Sequence, residues 1–151
     1  MQLKVALSVE IILTLTVLIL TIVSESTSSW IVSGSGVGET SLGLWQSCAN
    51  GRCFAITDAP PFFEAVRAMS ILAIISQALA LFAIGYAFKD PKYHPKMCTS
   101  FLSMAGLFMV IAMAVFTGKA RLSSYGYSYV LGWVSAVANG LVSIVVGCLH
   151  R

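Results

Sequence analysis

The sequence predicts an all-α membrane protein: a left-handed bundle of four transmembrane helices that carries a small extracellular antiparallel β-sheet. Three observations predict this fold. Charged residues make up only 10% of the 151 residues, whereas a soluble globular domain averages about 25%. Four apolar runs are each long enough, at about 1.5 Å per residue, to cross a hydrocarbon core about 30 Å thick. The interval between the first two runs is polar, and in it two cysteines flank an Asn-Gly pair.

The four runs set the organisation of a single domain that covers residues 1–151. The spans are expected at about 5–23, 69–88, 98–116 and 130–148. They leave a long extracellular loop at about 24–68, a cytoplasmic loop at about 89–97 and a short extracellular loop at about 117–129. We interpret the first run as a retained signal anchor, because it is longer than the apolar core of a typical signal peptide.

The lysines between the second and third spans indicate the side on which each loop lies. Lys89, Lys92 and Lys96 crowd the short segment KDPKYHPK, and short loops rich in Lys and Arg stay in the cytoplasm. With four spans, the N- and C-termini then lie in the cytoplasm as well. Lys119 and Arg121 mildly oppose this orientation, so charge alone only favours it. We expect a multi-pass protein of the plasma membrane.

The segment CANGRC predicts a hairpin that brings its two cysteines together. Asn50-Gly51 is a strong signal for a two-residue type I′ turn, because both positions need positive φ. Cys48 then faces Cys53 in a non-hydrogen-bonded pair, with Cα atoms about 4.5 Å apart. A disulfide tolerates roughly 4.4–6.8 Å between Cα atoms and persists on the oxidising side of the membrane. The alternative is two free thiols on a cytosolic loop.

Three short strands are expected in the long loop, at SSWIV, TSLGLW and CFAIT, because these stretches carry β-branched and aromatic residues. Their apolar face is expected to consist of Trp30, Leu44, Trp45 and Phe54. Because three strands are marginal on their own in water, this sheet should rest on the helix ends. Arg67, near the outer end of the second span, either extends its charge to the interface or binds backbone carbonyls of the sheet.

Polar and sulfur-containing residues within the spans suggest further roles. Cys98 and Cys148 lie at the cytoplasmic face, where they are either acceptors for palmitoylation or small apolar residues at helix ends. Glu10 lies about two turns into the first span, and ionisable groups inside membranes are functional candidates by default. At this depth Glu10 could instead be hydrated or protonated. Gln77 and Asn139 are expected to bond to each other or to the backbone.

Charge and histidine content argue against nucleic-acid binding and catalysis. The net charge of +3 is small and scattered, without a basic stripe that carries interleaved aromatic residues. His94 and His150 lie in polar segments without metal-ligand spacing, and no pair of carboxylates occupies an apolar run. We therefore expect no enzymatic activity, no cofactor, no bound metal and no nucleic-acid partner.

The long loop and the second span carry residues that resemble the W…GLW…C…C…R signature of the claudin superfamily, which includes claudins and the peripheral myelin, epithelial membrane and lens fibre membrane proteins. These residues are Trp30, Gly43, Leu44, Trp45, Cys48, Cys53 and Arg67. The segments VFTG at 115–118 and YGYSYVLGW at 125–133 are similar to the end of the third span and the start of the fourth in the epithelial membrane and lens proteins of this superfamily. The cysteine spacing is most similar to that of the lens fibre branch.

The resemblance implies a structural protein of cell–cell contacts. Its sheet would mediate adhesion or junction organisation by self-association, in one membrane or across two, with the lipid bilayer and related four-span proteins as partners. In this scheme the two loop cysteines link the sheet, and the other five signature residues anchor it to the bundle. The alternatives are an auxiliary subunit that acts laterally on a channel and a component of a paracellular pore. Because the sequence ends at GCLHR without the scaffold-binding motif of many claudins, we expect no binding to PDZ-type scaffolds.

Overall fold

The computed structural model describes residues 2–34, 36, 38–90, 94–120 and 124–149. Lys92, Arg121 and His150, which entered the predictions above, lie outside these ranges, as does the side chain of His94. In chain order the elements are helix α1 Gln2–Ser26, strands β1 Ile31–Ser33, β2 Thr40–Leu42, β3 Gln46–Ala49 and β4 Arg52–Ala55, and helices α2 Pro61–Ala87, α3 His94–Ala120 and α4 Tyr127–Leu149.

The four helices form a closed bundle in which α1 packs on α2 and α4, and α3 packs on the same two helices. Each is long and apolar enough to cross a membrane, with mean hydropathy between 1.9 and 2.5. A helix is one of the two structures that satisfy every backbone hydrogen bond within the hydrocarbon core, where water is absent. The predicted fold class, four apolar helices with a small antiparallel sheet between the first and second, is confirmed.

Helix α2 begins well before the apolar run that starts at residue 69. Its first residue is Pro61, a favoured position because proline lacks the N–H group that a helix start leaves unpaired. Phe63 and Val66, in the first two turns, are buried in the same apolar cluster as Trp30 and Leu44. These extra turns therefore provide the part of α2 on which the sheet rests.

The middle of the bundle contains a hydrogen-bonded polar group. Gln77 Nε2 of α2 donates to Thr21 Oγ1 of α1 and to Asn139 Oδ1 of α4, each at 3.0 Å. Asn139 Nδ2 in turn donates to the Ser135 carbonyl at 2.9 Å. The expected bond between Gln77 and Asn139 is confirmed, and the group joins three helices where an unpaired amide would be costly.

The sheet contains four antiparallel strands in the order β1-β2-β3-β4, so the prediction of three strands was wrong. The single strand expected at 40–45 ends at Leu42, and a new strand begins at Gln46. The chain turns between them, because the Gly43 N–H donates to the Gln46 carbonyl at 2.8 Å. Sequence pattern alone does not distinguish this turn, since an isolated glycine in a strand pattern also fits a bulge.

Candidate functional site: the disulfide-linked sheet and its contacts with the bundle

The β3–β4 hairpin has the geometry that its Asn-Gly pair predicts. Asn50 and Gly51 have positive φ values of 51° and 76°, as both central residues of a type I′ turn require. Cys48 faces Cys53 across the strands. The two residues form a disulfide, and their Cα atoms lie 4.0 Å apart. This bond fixes the register of the two strands close to the turn.

Trp30 connects the start of the sheet to the helices. Its side chain is fully buried, and its Nε1 donates to the Ser24 carbonyl of α1 at 2.8 Å. The ring meets Phe116 of α3 edge-on, with centroids 4.8 Å apart. Phe63 of α2 packs on the same phenylalanine, with a centroid distance of 5.8 Å. The indole thus contacts α1 and α3 directly, and Phe116 connects it to α2.

The Gly43-Leu44 turn fits tightly against the segment that follows α1. A β-carbon on Gly43 would lie 2.7 Å from both the Ser28 Cα and the Thr27 carbonyl oxygen. Backbone atoms cannot move aside as a flexible side chain can, so this approach requires glycine. Leu44 is fully buried in the same apolar cluster as Trp30. The turn therefore brings Leu44 into the core, and a larger residue at position 43 would push the turn away from the segment after α1.

Arg67 of α2 holds the same turn from the other direction. Its Nε donates to the Leu44 carbonyl at 2.7 Å, and its guanidinium carbon lies 4.8 Å from the centre of the Trp45 ring. A cation over an indole face is attracted by the negative charge of the ring face. Two roles were possible for Arg67, and these contacts fit the one in which its side chain binds backbone carbonyls of the sheet region.

The aromatic residues of the sheet do not share one apolar face as expected. Trp30 and Leu44 are fully buried, whereas Trp45 is 42% exposed and Phe54 is 64% exposed. The expectation placed the adjacent Leu44 and Trp45 on one face, but successive residues of a strand point to opposite faces. In the structure both residues lie in the turn between β2 and β3. Trp45 and Phe54 are therefore aromatic residues that this region leaves exposed.

The two edges of the sheet differ. Strand β1 is covered by the segment that precedes α4, because Ile31 forms an antiparallel bridge with Tyr125. The Val32 N–H donates to the Ser124 carbonyl at 3.3 Å. The hydroxyl of Ser128, in the first turn of α4, accepts from the Ser29 N–H at 3.2 Å. These contacts occupy the β1 edge with the protein's own chain.

Strand β4 is the open edge, since among the described residues it pairs with β3 alone. All four of its residues are exposed. Counted from the two-residue turn, the N–H groups of Arg52 and Phe54 face β3, whereas those of Cys53 and Ala55 face away from the sheet. Exposed N–H and C=O groups on an edge strand form a template for another strand.

The remaining predicted residues lie farther from the sheet. Glu10 is fully buried, so its side chain does not reach a hydrated surface of the bundle. Cys98 is buried in an apolar cluster with Leu7 and Val146, which is the packing role considered for it. Cys148 is exposed, and it alone of the two presents a thiol that an acyl donor can reach.

Glu25 lies one residue before the end of α1 and is not among the residues predicted from the sequence. The side chain is only 6% exposed, and neither carboxylate oxygen has a hydrogen-bond partner among the described residues. The Ser70 hydroxyl faces it, but this hydroxyl donates to the Val66 carbonyl at 2.8 Å. The signal in the sequence is a carboxylate two residues beyond the predicted end of the first span, at a position predicted to lie in the long loop.

The sheet end of the bundle presents a contact surface. The part of the chain that the structure describes contains no group of three His, Cys, Asp or Glu residues that could hold a metal ion. The features of the sheet end are a disulfide, a buried indole, a bound arginine and an open strand edge. The indole and the arginine position the sheet on the bundle, the disulfide links two of its strands, and the open edge is left for other contacts.

A sheet of this kind between the first two of four apolar helices defines a known class of membrane protein. The model of the PMP-22/EMP/MP20/Claudin family matches residues 3–150. The chain belongs to this family, so the predicted family is confirmed, and the protein is a multi-pass membrane protein whose surroundings include the lipid bilayer.

Among its relatives is lens fiber membrane intrinsic protein. The protein from Homo sapiens is 27% identical and that from Rattus norvegicus is 26% identical, each over 88% of this chain and 84% of the relative. Claudin domain-containing protein 2 from Mus musculus is 26% identical over 78% of this chain and 70% of the relative.

Proposed function

We propose that the protein organises cell–cell contacts in the plasma membrane by self-association through its disulfide-linked sheet. The observation that best supports this function is the open β4 edge, which exposes all four residues while the β1 edge is covered. Lys89 and Lys96 favour an orientation with cytoplasmic termini and an extracellular sheet. A disulfide persists on that side of the membrane.

A second copy would bind by adding its β4 strand antiparallel to the first. Because the Cys53 and Ala55 N–H groups face outward, hydrogen bonds form when Cys53 of one copy lies opposite Ala55 of the other. The two Phe54 side chains then face each other in a non-hydrogen-bonded pair, where aromatic rings contribute roughly 0.2–1 kcal/mol. Main-chain bonds supply affinity in such strand addition, and side chains supply specificity.

The substitution Ala55→Pro tests this pairing. Proline removes an N–H that faces away from β3, so the β3–β4 ladder keeps its hydrogen bonds. Ala55→Thr is the matched control, because it changes the same side chain and keeps the N–H. Tagged variants are expressed in cells without junctions and mixed with non-expressing cells. We expect enrichment at contacts between two expressing cells for the wild type and Ala55→Thr, and its loss for Ala55→Pro.

Surface delivery and the Cys48–Cys53 disulfide are measured for each variant, so that loss of enrichment is compared at equal amounts of folded protein. Enrichment only where both cells express the chain supports association across two membranes. Enrichment that Ala55→Pro retains would contradict the β4 contact. A uniform distribution of the wild type, with co-purification of a larger channel complex, would contradict homotypic adhesion and support the role of an auxiliary subunit.

A further inference from the structure

A groove of about 480 Å³ lies where α1, α2 and the sheet meet. Its lining includes Ile22 and Glu25 of α1, Ile74 of α2, and Trp45, Gln46 and Ala55 from the sheet region. Ile22 and Ile74 belong to helices that are apolar enough to cross the membrane. The groove therefore begins beside the hydrocarbon core and ends at the sheet, at the depth of the membrane interface.

The Glu25 carboxylate in this groove lacks a hydrogen-bond donor among the described residues. Its carboxylate is more than nine-tenths buried, and both of its oxygens lack a partner in the described part of the chain. Burial of a polar group without a hydrogen bond is costly. The last turn of α1 carries no basic residue, and a helix C-terminus itself adds negative partial charge. Both effects favour a ligand that is positively charged and donates hydrogen bonds.

The other walls indicate that this ligand is an amphiphile. Ile22 is 44% exposed and Trp45 is 42% exposed, so both can contact a hydrocarbon chain in the bilayer. Tryptophan favours the interface, where its ring meets apolar chains and polar headgroups together. Arg67 contacts the Trp45 ring, and its Nη2 is buried without a described hydrogen-bond partner. The positive charge of Arg67 thus lies next to the Trp45 ring that borders the groove, where it can attract a phosphate group of the ligand.

We propose that the groove binds the headgroup of a phospholipid with a primary ammonium group, of the phosphatidylethanolamine type. The ammonium group carries three N–H donors for Glu25, and the acyl chains lie along Ile22 and Ile74. A choline headgroup carries a similar charge but no N–H donor, so it leaves the carboxylate oxygens without hydrogen bonds. Lipid binding at this groove is a property separate from self-association through β4.

The test measures binding of short-chain phosphatidylethanolamine and phosphatidylcholine, with identical acyl chains, to the purified full chain in detergent micelles. Titration calorimetry gives the two dissociation constants. We expect the ethanolamine lipid to bind at least about tenfold more tightly, as charge-assisted hydrogen bonds require. Glu25→Gln should reduce this preference to less than about twofold. Glu64→Gln is the control, because Glu64 is an exposed carboxylate at the end of α2 nearest the sheet; it should leave the preference for the ethanolamine lipid unchanged.

Equal binding of the two lipids by the wild type would overturn the proposal, and so would a preference that Glu25→Gln retains. Binding of O-phosphoethanolamine, which lacks acyl chains, as tightly as the lipid would overturn the assignment to a membrane lipid. If Glu25→Gln loses its helical circular dichroism, Ala55→Leu replaces it, because Ala55 is exposed and lines the groove. This side chain should fill part of the groove and weaken binding of the ethanolamine lipid at least about fivefold; unchanged binding would contradict the site.

Discussion

Replacement of Trp30 by alanine tests how strongly one buried side chain attaches the sheet to the bundle. The indole is fully buried and meets Phe116 edge-on at 4.8 Å. Removal of a buried tryptophan costs about 3–5 kcal/mol, because transfer free energy is lost and a cavity remains. The Nε1 bond to Ser24 contributes about 1 kcal/mol of this. We therefore expect Trp30→Ala to lower the free energy of unfolding by about 3–5 kcal/mol.

Trp30→Phe separates packing from hydrogen bonding. Phenylalanine keeps most of the aromatic contact but leaves the Ser24 carbonyl without its donor, which costs about 1–3 kcal/mol. Trp45→Ala is the control, because this ring is 42% exposed and its loss should cost only about 1–2 kcal/mol. Unfolding by SDS in mixed micelles, followed by circular dichroism, measures all three values. A Trp30→Ala value within about 1 kcal/mol of that of Trp45→Ala would refute this account.

Three further substitutions test the contacts around this anchor by the same unfolding measurement. Gly43→Ala places a β-carbon 2.7 Å from backbone atoms and should lower the free energy of unfolding by about 1–3 kcal/mol. Gly85→Ala is the control, because no described heavy atom lies within 4 Å of its β-carbon, and it should be neutral or stabilising. Equal effects of the two substitutions would contradict the close approach at Gly43. Arg67→Gln should cost about 1.5–3 kcal/mol, because the charged donor to the Leu44 carbonyl is lost; a change under about 0.5 kcal/mol would show that this bond contributes little. Gln77→Leu breaks two interhelical bonds and should cost about 0.6–1.7 kcal/mol, and a stabilised variant would contradict that role.

The parts of the fold that depend on local chemistry could be predicted from the sequence. The four helices follow from run length, and the hairpin follows from the need for positive φ at Asn50 and Gly51. The fourth strand could not be predicted, because the turn at Gly43 depends on a close approach to the segment after α1. Trp30 and Trp45 are the same residue type in one polar interval but differ in burial, because Trp30 packs in the apolar cluster between the helices and Trp45 lies in the turn between β2 and β3.

The groove could not be predicted from the sequence either, because it depends on the burial of Glu25. A carboxylate at the end of an apolar run usually marks the point where a helix leaves the membrane and meets water. Here α1 continues to Ser26, and the nearby sheet and α2 cover the side chain. Its burial therefore depends on contacts between segments that lie far apart in the sequence, such as that with Ser70. Neither the length of an apolar run nor the residue type indicates these contacts.

The unequal edges of the sheet limit how copies of this chain can assemble. The β1 edge is occupied by the segment before α4, so the sheet presents one strand, β4, for pairing. Because β4 would pair with β4, both copies use the same surface, and such an isologous contact closes as a dimer. Growth beyond two copies would therefore require a second contact outside the sheet. If copies pair as proposed, the β4 edge binds one other copy, and the helices and their surrounding lipid would set the extent of any larger assembly.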